Sequence, residues 1–173
     1  GADATDDVSF GRVSGLAADA AGRIYVGDAQ DQQVRVFSAA GTLQRTIGRS
    51  GSGPLEFKTL ATITIGPDRL LYVTMGDAAN TALPQNRTAL GGKILRMTLD
   101  GAPAPGNALG GYVHSMGHRN PQGLAFAPGG TLYATEHGPG DNDEVNRIEG
   151  GRNYGWPDVR GMCDGDAGPN ERA

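Results

Sequence analysis

Cysteine is almost missing from the 173 residues: Cys163 stands alone, so no disulfide can close within the chain. Lysine is nearly as scarce, with Lys58 and Lys93 set against thirteen arginines. No run of 18 apolar residues occurs, which excludes a helix that crosses a membrane. Charge of one sign is not gathered anywhere. The 19 acidic and 15 basic residues are dispersed and leave a net charge of −4, which argues against nucleic acid or an anionic membrane as the main partner. No segment keeps an apolar period of 3.6, so long helices are not expected. The chain opens Gly-Ala-Asp-Ala-Thr-Asp-Asp with neither methionine nor an apolar leader, as a processed chain or a fragment would.

Glycine and proline are abundant, at 29 and 10, close to the level at which low complexity becomes the default reading. The apolar 38% gathers in short runs instead of being diluted, so a core can be built. The runs repeat. With tyrosines in register, Gly15-Leu-Ala-Ala-Asp-Ala-Ala-Gly-Arg-Ile-Tyr25-Val matches Thr62-Ile-Thr-Ile-Gly-Pro-Asp-Arg-Leu-Leu-Tyr72-Val and Gly123-Leu-Ala-Phe-Ala-Pro-Gly-Gly-Thr-Leu-Tyr133-Ala. Each copy reads as strand, turn and strand, and the copies begin 47 and then 61 residues apart. That spacing suits propeller blades of roughly 40–50 residues. Gln33–Phe37 and Thr42–Ile47 read as an outer hairpin, and Lys93–Leu99 and Tyr112–Met116 as further strands. The expected fold is all-β, a β-propeller with about three blades present. Propellers close with four to eight blades. The chain is therefore part of a longer protein, pairs with another copy, or arranges its blades unusually; the first is the expectation.

The densest motifs lie between residues 117 and 157: Gly117-His-Arg-Asn-Pro-Gln-Gly123, Glu136-His-Gly-Pro139, Asp141-Asn-Asp-Glu-Val-Asn146 and Gly151-Arg-Asn-Tyr-Gly-Trp-Pro157. Arg119 and Asn120 precede an inner strand, where a propeller presents groups at its channel face. The planar donor fork of arginine suits a carboxylate, although a salt bridge or a capped carbonyl would use it equally well. Gly138-Pro139 follows the next strand, where carbonyls can point outward. Asp141, Asp143 and Glu144 crowd the same turn, a hard-oxygen setting of the kind calcium takes and also the usual make-up of a solvated turn.

Together with Ile65-Gly-Pro-Asp68, Leu71-Tyr-Val-Thr-Met-Gly-Asp77, Gly92-Lys-Ile-Leu-Arg96 and Leu99-Asp-Gly101, these motifs make the stretch from Thr62 to Gly161 resemble the glucose/sorbosone dehydrogenase family. Those are soluble sugar dehydrogenases that use pyrroloquinoline quinone. The resemblance implies a six-bladed propeller with the quinone flat over the channel mouth. It implies oxidation of an aldose at its anomeric carbon to a lactone, an external electron acceptor, and a periplasmic or secreted location. On this resemblance Arg119 and Asn120 contact the acidic rim of the quinone, with His137 beside it. The carbonyls of Gly138 and Pro139 hold a calcium ion on the cofactor, and Glu144, Tyr154 and Asp164 hold a second, structural calcium. The family's proton-accepting histidine is missing: its neighbourhood reads Glu56-Phe57-Lys58-Thr59-Leu60, which leaves Lys58 as the nearby basic side chain. A partial or degenerate member is the expectation.

The front differs. Gly15 to Phe57 resembles NHL-type propeller repeats, which are mostly binding scaffolds. The domain reading is a tail over 1–10, an NHL-like blade over 11–58, and sugar-dehydrogenase-like blades over 59–173. The alternative to the enzyme is a non-catalytic propeller module with a protein or glycan partner. Self-association to complete the ring is a further expectation.

Overall fold

The computed structural model describes residues 9–161, which contain strands, turns and loops and no helix. The first blade is β1 (Val13–Ala18), β2 (Ile24–Asp28), β3 (Gln33–Phe37) and β4 (Leu43–Ile47), an antiparallel sheet in sequence order. A short parallel pair, β5 (Arg49–Ser50) and β6 (Glu56–Phe57), leads onward. The second blade is β7 (Leu60–Ile65), β8 (Leu71–Met75), β9 (Lys93–Met97) and β10 (Val113–Met116), again in sequence order. The third has three strands, β11 (Pro121–Phe126), β12 (Leu132–Glu136) and β13 (Glu144–Ile148). The innermost strands β1, β7 and β11 pack side by side, as blades around a channel do.

The repeat in the sequence has a physical basis. Asp19 accepts the N–H groups of Ala21 and Arg23 and pins the first inner turn, and Tyr25 returns its hydroxyl to the same carboxylate at 3.3 Å. Asp68 does the same for Leu70, and Tyr72 donates to it at 3.0 Å. The third turn, Ala127-Pro-Gly-Gly-Thr131, has no aspartate, and Tyr133 is left exposed.

Each innermost strand also shifts register just after it begins, between Val13 and Gly15, Leu60 and Thr62, and Pro121 and Gly123. Such a bulge bends a strand and re-aims a side chain. Here it falls at Ser14, Ala61 and Gln122, at the same end of all three strands.

Two cores fill the spaces between blades. Tyr25, Val34, Val36, Phe57, Leu71 and Leu95 belong to the one between the first and second blades, and Tyr72, Ile94, Leu132, Ala134 and Ile148 to the one between the second and third. The outer flanks are different: Leu16 on β1 is 69% exposed and Val145 on β13 is 72% exposed. Glu144, expected with Asp141 and Asp143 in a turn, instead opens the strand β13. Asn146 and Ile148 face inward and Val145 and Arg147 outward, the period of two that a sheet requires.

Candidate functional site

The alternation of β12 buries Leu132, Ala134 and Glu136, so the last residue places a carboxylate inside the blade instead of in water. There Glu136 Oε2 meets His118 Nδ1 at 2.9 Å, and Glu136 Oε1 accepts the N–H of Arg119. Burial alone would raise this carboxyl, but His118 and the N–H groups of Arg119 and Asn120 outweigh it and hold it below the usual range. His118 is fully buried, stacks on Tyr154 with ring centres 4.7 Å apart, and meets Ser115 Oγ at 2.8 Å through Nε2.

The chain beyond β12 closes into a tight turn. Gly138 donates its N–H to Asp143 Oδ1 at 3.0 Å, and His137 Nδ1 lies 3.1 Å from the other carboxylate oxygen. These contacts, the backbone bond first, keep the Asp143 carboxyl below its ordinary range. A Cβ on Gly138 would stand 1.7 Å from the Asp141 carbonyl oxygen, so only glycine fits. Arg119 Nη1 caps the His137 carbonyl at 2.9 Å, and its guanidinium lies 5.6 Å from the centre of the Trp156 ring. Trp156 Nε1 donates to Asp77 Oδ2 at 2.9 Å, and the Asp77 N–H donates to the Arg119 carbonyl at 2.8 Å.

These bonds gather the expected residues. Arg119, His137, Gly138, Pro139, Glu144 and Tyr154 line one narrow cleft of about 20 Å³, room for one water or one ion. Glu144 begins β13 and accepts from Gly161 N–H and Asn146 Nδ2. The Tyr154 hydroxyl donates to the Arg147 carbonyl and accepts from Glu149 N–H. Asn120 and Lys58 stand next door, in a depression of about 570 Å³ that also takes Ser14, Ala61 and Gln122 from the three bulges. Asp164 lies outside the described residues. A further cavity of about 660 Å³ opens at the opposite ends of the inner strands, beside Asp19, Arg69 and Phe126, and holds none of the expected residues.

The residues suit a cation and an anionic, planar ligand. Among the described residues the carbonyls of Gly138 and Pro139 accept no backbone hydrogen bond, and the Asp141 and Asn142 carbonyls crowd the same turn. No three His, Cys, Asp or Glu side chains converge among the described residues, so a cation here would depend on backbone oxygens. Arg119 has no carboxylate partner among the described residues and keeps donors for one.

Residues 13–170 match the family model for glucose/sorbosone dehydrogenases. The chain belongs to the glucose/sorbosone dehydrogenase family. The match takes in the front blade as well as the stretch from Thr62 to Gly161. Quinoprotein glucose dehydrogenase B of Acinetobacter calcoaceticus is 40% identical over 125 residues, which cover 59% of this chain and 26% of that protein. The pyrroloquinoline-quinone-bound aldose sugar dehydrogenase of Streptomyces coelicolor superposes with a TM-score of 0.64 at 30% identity, over 95% of this chain and 67% of the other. A solved glucose dehydrogenase gives a TM-score of 0.71 at 28% identity, over 88% of this chain and 52% of that one. This family member thus spans about a quarter of the length of the curated relative it matches.

Sequence reasoning missed Glu136, Ser115 and the Asp77–Trp156 bond in this sugar-dehydrogenase relative. Glu136 was visible inside a quoted motif, and its place at the inward phase of an alternating strand was the available signal. Nothing local marks Asp77 and Trp156 as partners, because 79 positions separate them.

Proposed function

We propose that this chain forms one flank of the cofactor mouth of a sugar dehydrogenase that uses pyrroloquinoline quinone. The observation that carries the reading is the meeting, in one cleft, of the Arg119 guanidinium with the turn whose Gly138 and Pro139 carbonyls take no backbone hydrogen bond. The quinone is a planar tricarboxylate, and Arg119 and Asn120 would hold its acidic rim with His137 beside them. The carbonyls of Gly138 and Pro139 would hold the one calcium ion the cleft admits, while the Glu144 and Tyr154 oxygens beside it are bonded to Gly161, Asn146, Arg147 and Glu149. Bound there, the quinone supplies a hydride acceptor and calcium polarises its carbonyl, the chemistry for oxidising an aldose at the anomeric carbon to a lactone with electrons passing to an external acceptor.

The chain's own residues bind and orient. Lys58 lines the depression beside Asn120 and would take the proton acceptor's part, which a lysine does only as a neutral amine. The exposed apolar flanks at Leu16 and Val145 would be covered by further blades, from a longer chain or a second copy. A periplasmic or secreted location belongs to the same reading. Among the described residues no helix is long and apolar enough to cross a membrane.

Titration with the quinone and calcium, followed through the single tryptophan, tests the reading. Arg119→Ala should weaken binding by about 2–3 kcal/mol, roughly 30- to 150-fold, the scale of a lost charge-assisted contact. Unchanged affinity in that variant removes the proposed role. Dye reduction with glucose and other aldoses then reports turnover.

A further inference from the structure

The dipeptide Arg119-Asn120 is hydrogen-bonded at three of its four backbone polar groups. The Arg119 carbonyl accepts from Asp77 N–H at 2.8 Å, and the Asn120 carbonyl accepts from His137 N–H at 3.2 Å. The Arg119 N–H donates to the Glu136 carboxylate, and the Asn120 N–H faces the same group. One of these three anchors is a side chain, Glu136, and it is 8% exposed. The third donor in reach is His118 Nδ1, and His118 is locked on its far side by Ser115 Oγ and across its face by Tyr154.

We infer that Glu136 is the positioning residue of the site. By accepting from Arg119 N–H and His118 Nδ1–H, its carboxylate fixes the loop that presents Arg119 and Asn120, and it fixes His118 with the proton on Nδ1. The inference rests on the role proposed above for Arg119 and Asn120. A carboxylate is an acceptor only, so the histidine nitrogen it meets must carry the proton. In the neutral ring Nε2 is then bare and accepts the Ser115 hydroxyl, which closes a buried chain from Ser115 to the loop backbone. The Asn120 amide side chain approaches Gly76. Its Oδ1 lies 3.3 Å from where a Cβ on Gly76 would stand, so a glycine keeps that side of the loop clear.

Nitrogen-15 spectra of the imidazoles and amide exchange test the geometry, and quinone titration tests its use. In the unaltered protein His118 should show a protonated Nδ1 and a bare Nε2. In Glu136→Gln the carboxamide NH₂ faces Nδ1, so the tautomer should invert, with Nε2–H donating to Ser115, while the amide oxygen still accepts from Arg119 N–H. Quinone affinity there should fall by less than about threefold. Glu136→Ala should lose at least tenfold and speed exchange at Arg119 and Asn120 while the amides of Ala134 and Thr135 stay protected; Glu136→Asp gives the same comparison if the alanine variant does not fold. Ile148→Ala, in the core of the same blade, is the stability-matched control and should keep its affinity. An Nε2–H tautomer in the unaltered protein overturns the inference. So does an affinity loss in the control equal to that of Glu136→Ala, or exchange that quickens along all of β12. If the unaltered protein binds no quinone, the functional reading fails, and the tautomer and exchange results still decide this one.

Discussion

Gly138→Ala is the sharpest perturbation of the cleft. The new methyl would stand 1.7 Å from the Asp141 carbonyl oxygen and 2.7 Å from that of Asn142, and real Cβ atoms essentially never come closer than 3.0 Å. The Asp141 oxygen must retreat by about 1.3 Å, the difference between 1.7 and 3.0 Å, and it is backbone, so the whole turn moves. Overpacking of this kind costs about 1–3 kcal/mol. For a chain of this size that corresponds to a Tm lower by roughly 2–12 °C. The second effect is on the cation. Calcium takes its oxygens at about 2.3–2.6 Å, so a shift of an ångström removes a ligand. Calcium at about 100 times its Kd should stabilise the unaltered protein by roughly 2.7 kcal/mol, an increment that EDTA reverses and that the variant should largely lose. Thermal melts with calcium and with EDTA read both effects. A variant that melts with the original and responds equally to calcium would refute the argument, because the turn would not be closed on Gly138.

Two further predictions concern titratable groups, His114 half-buried and Lys93 fully buried. Burial, and next the Arg96 guanidinium, push the His114 imidazole down to about 4. The unfolded chain takes that proton near pH 6.5, so this contribution is full above 6.5 and falls by up to about 1.4 kcal/mol per pH unit as the pH drops toward 4. His114→Phe should shrink the Tm difference between pH 7 and pH 4.5, and parallel curves for the two proteins would reject the cause. Lys93 is fully buried, is pushed down to about 8 by that burial, and donates to the carbonyls of Leu83, Pro84 and Gly91 at 2.8–2.9 Å. Lys93→Met strands three acceptors and should cost about 3 kcal/mol in urea denaturation; a loss below about 0.5 kcal/mol would show that the ammonium does not clamp the loop.

The blades were legible because the tyrosine register reports a real contact: two of the three tyrosines bond the aspartate of their own turn, and the aligned motif contains both partners. The strand over Glu144–Ile148 was hidden because Asp141, Asn142 and Asp143 carry the composition of a turn up to its first residue, and two-residue alternation is weak over five positions. Arg119, Gly138 and Pro139 could be named from motif order. That they share one cleft shows only in the fold, where Arg119 bonds both the His137 carbonyl and Glu136, a residue buried because of the phase of β12. Long-range polar bonds such as Asp77 to Trp156 leave no local trace at all.

The kink repeated near the start of β1, β7 and β11 has a consequence for how this surface can change. It hands Ser14, Ala61 and Gln122 to the channel entrance from outside the regular pairing, while the flanking positions keep the sheets in step. Each blade therefore contributes one interchangeable tooth to the rim, and the rim can be recut tooth by tooth without disturbing the wheel that carries it.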